Sequence, residues 1–333
     1  MIKRKINIVI TGFTLVILFS SITFTSAASS VKLDLAFTNL ADPGDDHYEG
    51  WLIVDGSPVS TGKFSLDTAG NIVDLTGGPI SSFDFNTNLD SATTFVLTLE
   101  PNGDDDAVPS NVKLIAGDLN ADKTSATLMH NIGADFTTIS GSYILATPTN
   151  GADTDENSGI WFLDPTGTKV VAGLSLPDLT GTDWVYEGWV VIDGVAVTTG
   201  TFDMVSQIDD NDPYSGTEAG PPFPGEDFLV NAPTSLTFPT DIAGMTAVVS
   251  VEPRMDNSAA PFQFKPLIGS ISSTAVDHTL YDMGDMSSTL PTGTVTLTVD
   301  DSDDDSLPGF LAIEVLIGFS AVILSYKMMR RRN

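Results

Sequence analysis

Tyr48-Glu49-Gly50-Trp51-Leu52-Ile53-Val54-Asp55-Gly56 returns as Tyr186-Glu187-Gly188-Trp189-Val190-Val191-Ile192-Asp193-Gly194, at an offset of 138 residues. The offset holds through Val59/Val197, Thr61/Thr199, Gly62/Gly200 and Phe64/Phe202. Farther on it becomes 152, pairing Thr98-Leu99-Glu100-Pro101 with Ser250-Val251-Glu252-Pro253. It stays at 152 for Pro109/Pro261, Lys113/Lys265 and Gly117/Gly269, and for Gly141 to Thr147 against Gly293 to Val299. The chain is therefore a duplication. The change of offset places about fourteen extra residues of the second copy between Phe202 and Ser250, where Asp209-Asp210-Asn211-Asp212-Pro213 and Gly220-Pro221-Pro222-Phe223-Pro224-Gly225 have the composition of a surface loop.

Inside the quoted stretch, Tyr48, Gly50 and Leu52 fall on one side of a strand and Glu49, Trp51 and Ile53 on the other. Asp55-Gly56 and Asp193-Gly194 stand where a tight hairpin turn needs positive φ. Val31 to Thr38, Thr94 to Glu100, Val112 to Ala116 and Tyr143 to Thr147 are likewise short, rich in β-branched and aromatic residues, and bounded by Gly, Pro, Asn and Asp. The expected fold class is all-β, with two tandem antiparallel β-sandwich domains at 31–147 and 159–299 joined by a linker at 148–158.

The ends read differently. Residues 1–28 open with Lys3, Arg4 and Lys5, run apolar from Ile6 to Phe24 and reach small residues at Ala27 and Ala28, the pattern of a secretory signal peptide. Residues 300–306 form an acidic spacer. The apolar run of 307–326 is long enough for a C-terminal transmembrane helix, and the basic tail 327–333 orients it with residues 31–306 outside. That places the domains on the cell surface, with the membrane as anchoring partner.

Residues 31–306 carry 43 acidic against 7 basic side chains, a balance of −36 that disfavours nucleic acid and anionic headgroups. The absence of cysteine excludes disulfides and thiolate metal sites. Two stretches are candidate calcium loops, because they space hard oxygens closely along a turning chain. One is Asp153, Asp155 and Asn157 with Asp164, and the other is Asp118, Asn120 and Asp122; the alternative for both is an acidic turn. Glu49/Glu187, Asp55/Asp193 and Glu100/Glu252 recur in both copies, whereas His47, His130 and His278 do not. No Gly-x-Ser-x-Gly, His-Glu-x-x-His or phosphate-loop motif is present.

Pro308-Gly309-Phe310, followed by an apolar segment and a basic cluster, resembles the archaeal PGF-type C-terminal sorting signal. The resemblance implies an archaeosortase-like processing enzyme as partner and a lipid anchor in place of the removed segment. Tyr-x-x-Trp-hydrophobic-hydrophobic-x-x-Gly, then Val-Ser/Thr-Thr-Gly-x-Phe, then a strand ending Glu-Pro resembles the extracytoplasmic domain of anti-sigma-K factors of the RskA type, once over Leu35 to Gly117 and once over Ile160 to Gly269. It implies a β-sandwich outside the membrane. The regulatory members of that family also hold a cytoplasmic sigma factor, for which this chain has only residues 327–333. The functional expectation is a non-catalytic structural or binding module of the envelope, with other envelope proteins or glycans as partners. The alternatives are an envelope sensor and a surface hydrolase.

Overall fold

The computed structural model describes residues 29–299; the expected signal peptide, acidic spacer, anchor and sorting residues lie outside them. Among the described residues no helix is long and apolar enough to cross a membrane. Apart from four single-turn 3-10 segments, the regular structure of the described residues is all strand. The chain first forms β1 (Ser29–Thr38), β2 (His47–Val54), β3 (Ser57–Leu66), β4 (Ile72–Val73), β5 (Phe83–Thr87), β6 (Ala92–Glu100), β7 (Lys113–Asp118) and β8 (Ser125–His130). There follow β9 (Ser140–Leu145), β10 (Gly159–Trp161), β11 (Leu163–Asp164), β12 (Val171–Ala172), β13 (Leu174–Ser175) and β14 (Trp184–Ile192). The last are β15 (Val195–Phe202), β16 (Gly225–Asp227), β17 (Thr246–Pro253), β18 (Phe264–Ser270), β19 (Tyr281–Asp285) and β20 (Thr292–Val299).

Eighteen of these strands build two large antiparallel sheets, and β11 and β12 pair with each other alone. The first runs β4-β3-β2-β6-β7-β8-β20-β1-β5 and the second β15-β14-β17-β18-β19-β9-β10-β16, with β13 added beside β9. Apart from β4, which has no counterpart, the two orders correspond strand for strand, with β9 in the position that β20 occupies in the first sheet. β9 and β20 are the closing strands of the two copies, and they are exchanged. β20 returns from the end of the second copy to lie between β8 and β1, where Val295 faces Ala126 and Leu35. β9 leaves the first copy to lie between β19 and β10. Each sheet also curls on itself in a sandwich-like way. Phe64 of β3 meets Phe37 of β1 and Phe83 of β5, both at 5.7 Å between ring centroids.

The exchange alters the expected organisation. The repeat segments 31–147 and 159–299 do not coincide with the sheets, and 148–158 connects neighbouring strands of one sheet instead of joining two domains. The side chains supply a reason. In β9, Tyr143, Ile144 and Leu145 are all buried, so both faces need cover, and Ile144 finds it against Trp161 and Leu163. β20 instead alternates buried Val295 and Leu297 with exposed Thr294, Thr296 and Thr298, a pattern suited to a one-sided position.

The duplicated stretch forms a β2/β3 hairpin and its β14/β15 counterpart. Positive φ is found at Asp55 (50°) and Gly56 (76°), and again at Asp193 (50°) and Gly194 (84°), giving a two-residue turn in each copy. Both hairpins shift register between Gly50 and Trp51, or Gly188 and Trp189, a β-bulge that turns Thr61 or Thr199 inward against the glycine.

Candidate functional site

The outer face of each hairpin is covered, so it holds a buried polar layer. In the first copy, the Trp51 indole N–H donates to Thr98 Oγ1 at 2.8 Å, and the Thr98 hydroxyl donates to Glu100. Glu100 Oε1 also accepts from the backbone N–H of Ser110 at 3.0 Å, and Ser60 donates to Glu49. The second copy repeats every link. Trp189 donates to Ser250 Oγ at 2.9 Å and Ser250 to Glu252; the Phe262 N–H donates to Glu252 Oε1 at 2.8 Å, and Thr198 donates to Glu187. The chemistry is that of a tie. A loop, 101–112 or 253–263, is fastened over its strand pair by a carboxyl group, and the tryptophan orients the hydroxyl between them.

Burial pushes the Glu187 carboxyl up to about 7, with Thr198 opposing the rise and Asp210 adding to it. Burial likewise takes Glu252 to about 7, opposed by its bonds from Ser250 and Phe262 and aided by the charge of Glu187. Glu49 is raised by burial as well, against Ser60 and against Lys63 at 3.7 Å. The copies differ in nearby bases: His47 and Lys63 of the first correspond to Val185 and Thr201 of the second. His47 stands opposite Glu100 in the β2/β6 register.

A third set of carboxylates escapes sequence reading because it lies within the extra segment of the second copy. Asp227 Oδ1 accepts from the Trp161 indole N–H at 2.8 Å, and its Oδ2 accepts from the Thr149 N–H at 2.8 Å. Glu226 accepts from the Ser215 hydroxyl, and Asp209 Oδ2 accepts from the Gly225 N–H at 2.9 Å. Burial raises all three, Glu226 to about 8 and Asp209 to about 7. The supposed surface loop is thus pinned to the β10/β16 edge from inside. The available signal was an acidic pair, Glu226-Asp227, running directly into Phe228-Leu229-Val230.

The calcium candidates fall in separate places. Asp153, Asp155 and Asn157 line an acidic pocket together with Asp241 and Asp277. Asp164 is not among them; its Oδ1 caps the following turn by accepting from the Thr166 N–H at 2.8 Å. Asn120 Oδ1 accepts from the Thr124 N–H at 2.8 Å and shapes the β7/β8 turn, Asp118 accepts from Thr94 at 2.8 Å, and Asp122 is exposed. Among the described residues, no group of three or more His, Asp or Glu is placed to hold a metal ion.

The two copies meet at a cleft of about 450 Å³, into which the duplicated Glu-Pro corners project Pro101 and Pro253. Leu99, Val112 and Phe262 give it an apolar lining, Met255 stands 90% exposed beside it, and Asp42, Asp46 and Asp256 edge it. Gln263 fixes the wall from both sides: its Oε1 accepts from the Ala41 N–H at 3.2 Å, and its Nε2 donates to Tyr48 Oη at 3.4 Å. Neither copy can form the cleft alone. No family model matches the chain, and no curated protein matches it.

Proposed function

We propose that the chain is a secreted, membrane- or lipid-anchored cell-surface protein acting as a non-catalytic binding module of the envelope, with the cleft between its two copies as the binding surface. The cleft carries this reading. It lies where two units meet, its volume is within the roughly 300–1,000 Å³ usual for ligand pockets, and most of its lining is apolar with a few polar groups. The duplicated carboxylates support a structural role for the layer behind it, since each engages a hydroxyl or backbone N–H that fastens a strand or loop. Anchorage is tested by the intact mass of the native protein from its own membranes, together with protease challenge of whole cells. The expected result is a chain lacking residues 1–28, digestible from outside and retained by membrane. A full-length chain protected in intact cells would refute the reading.

A further inference from the structure

Resting on that reading, we infer that the cleft binds a polypeptide segment of a partner protein that presents an apolar side chain flanked by lysine or arginine. Three observations select this chemistry. First, Leu99, Val112, Phe262 and Met255 offer apolar contact between prolines whose rings hold the walls rigid, so little conformational freedom is lost on binding. Second, the charged lining residues are Asp42, Asp46 and Asp256, and no lysine or arginine is among them. Each of these carboxylates commits Oδ1 to a backbone N–H, of Gly44, Asn102 and Ser258 respectively, and among the described residues Oδ2 of each has no hydrogen-bond donor, which leaves it for a cation. Among the described residues the bases in the adjoining segments, Lys113, Arg254 and Lys265, form no ion pair with these three aspartates: Arg254 pairs with Asp203 at 2.8 Å, and Lys265 Nζ donates to the carbonyl of the lining residue Phe262 at 2.6 Å. Third, hydrogen-bond donors are few. Besides the aspartates, the polar lining side chains are Gln263, whose amide is engaged with Ala41 and Tyr48, and Ser258, whose Oγ accepts from the Ala260 N–H, so few side-chain donors are left for the oxygens of a glycan. Nucleic acid and anionic lipid are disfavoured by the three aspartates.

The test uses the native protein extracted from its membranes in detergent and three fluorescently labelled peptides that share a Leu-Phe centre and differ in their flanks: lysine, serine or glutamate. Binding is followed by anisotropy. The lysine peptide is expected to bind at least ten-fold tighter than the serine peptide and to weaken as salt rises from 50 to 500 mM, while the glutamate peptide does not bind. Asp46→Asn and Asp256→Asn keep the Oδ1 acceptor of each turn and remove only the charge. Each should weaken the lysine peptide by about two- to five-fold, the range for exposed ion pairs, without altering the serine peptide. Met255→Ala removes an exposed side chain with no folding role and should weaken the lysine and serine peptides alike. Equal affinity for the lysine and serine peptides, unchanged affinity in both aspartate variants, or no binding of any peptide overturns the inference. Such a failure with a surface-exposed, anchored chain would reject only the ligand class, whereas failure of the mass and protease measurements would reject the reading beneath it.

Discussion

Val31 and Val299 are paired across β1 and β20, so the first and last strands of the described chain lie side by side and their outer ends emerge together. The first unit is therefore completed by a strand that arrives after the whole second unit has been traversed. Its integrity depends on residues some 260 positions from its start.

Leu297→Ala tests that dependence. The side chain is 2% exposed in the strand between β1 and β8. Truncating a buried leucine costs about 2–5 kcal/mol. The loss is expected to concentrate in the first unit, so hydrogen exchange should speed up in β1, β2 and β8 and leave β14, β17 and β18 protected. Uniform deprotection of both units would show that the exchange does not divide stability in this way.

A pH dependence follows from the second unit. Glu187, Glu252, Asp209 and Glu226 are held protonated by burial, with Glu226 raised to about 8 and the others to about 7. Because the folded form binds these protons more tightly than the unfolded chain, their stabilisation is complete below about pH 4 and is lost as pH rises through 7 to 8. Exposed turn aspartates such as Asp74 and Asp178 are lowered, first by their threonine side-chain hydrogen bonds; they act oppositely, below that range. The urea midpoint should therefore be higher at pH 5 than at pH 8.5. Glu226→Gln, which keeps an acceptor for Ser215 and cannot ionise, should recover on the order of 2–4 kcal/mol at pH 8.5 and flatten the profile. An unchanged slope in that variant would remove Glu226 from the groups responsible and leave Glu187, Asp209 and Glu252 to carry the dependence.

Much of the fold was legible because it rests on local chemistry. Asp-Gly after a run of alternating large side chains specifies a two-residue hairpin, and the paired offsets show that Glu49 and Glu100 beside Trp51 recur as Glu187 and Glu252 beside Trp189. The exchange was not legible, since Gly141 to Thr147 and Gly293 to Val299 align equally well and the choice of slot depends on what covers the outer face of each. Tyr143-Ile144-Leu145 against Val295-Thr296-Leu297 carried that difference, but only the neighbouring Trp161 gives it meaning. The Asp209, Glu226 and Asp227 cluster was hidden for a related reason. An acidic residue in a Pro- and Gly-rich segment reads as solvated until a buried N–H or hydroxyl is found waiting for it.

The bulge glycines give a third prediction. A Cβ on Gly188 would meet the Thr199 hydroxyl and lie 2.9 Å from a Phe162 ring carbon, and one on Gly50 would lie 2.9 Å from Phe95. Overpacking of this kind costs about 1–3 kcal/mol. Gly188→Ala should lower the thermal midpoint, and Thr199→Ser beside it, by removing a methyl and freeing the hydroxyl to turn, should restore part of the loss. No restoration would place the clash at Phe162 instead.

The two tryptophans decide between a tie and a platform. Trp51 and Trp189 are 1% and 3% exposed, and each indole N–H donates to a hydroxyl that in turn holds a glutamate. A ring that stacked on a ligand would have to be reached by it, and these are sealed beneath their loops. Trp51→Phe keeps most of the ring but removes the donor, leaving one acceptor site on Thr98 unfilled, at a cost of about 1–2 kcal/mol including lost packing. Trp189→Phe should cost about the same, because the second copy repeats the bond to Ser250. The peptide affinity of the cleft should remain within two-fold of the parent in both variants. A large loss of binding with little loss of stability would instead make these tryptophans part of the recognition surface, reached through opening of the 101–112 or 253–263 loop.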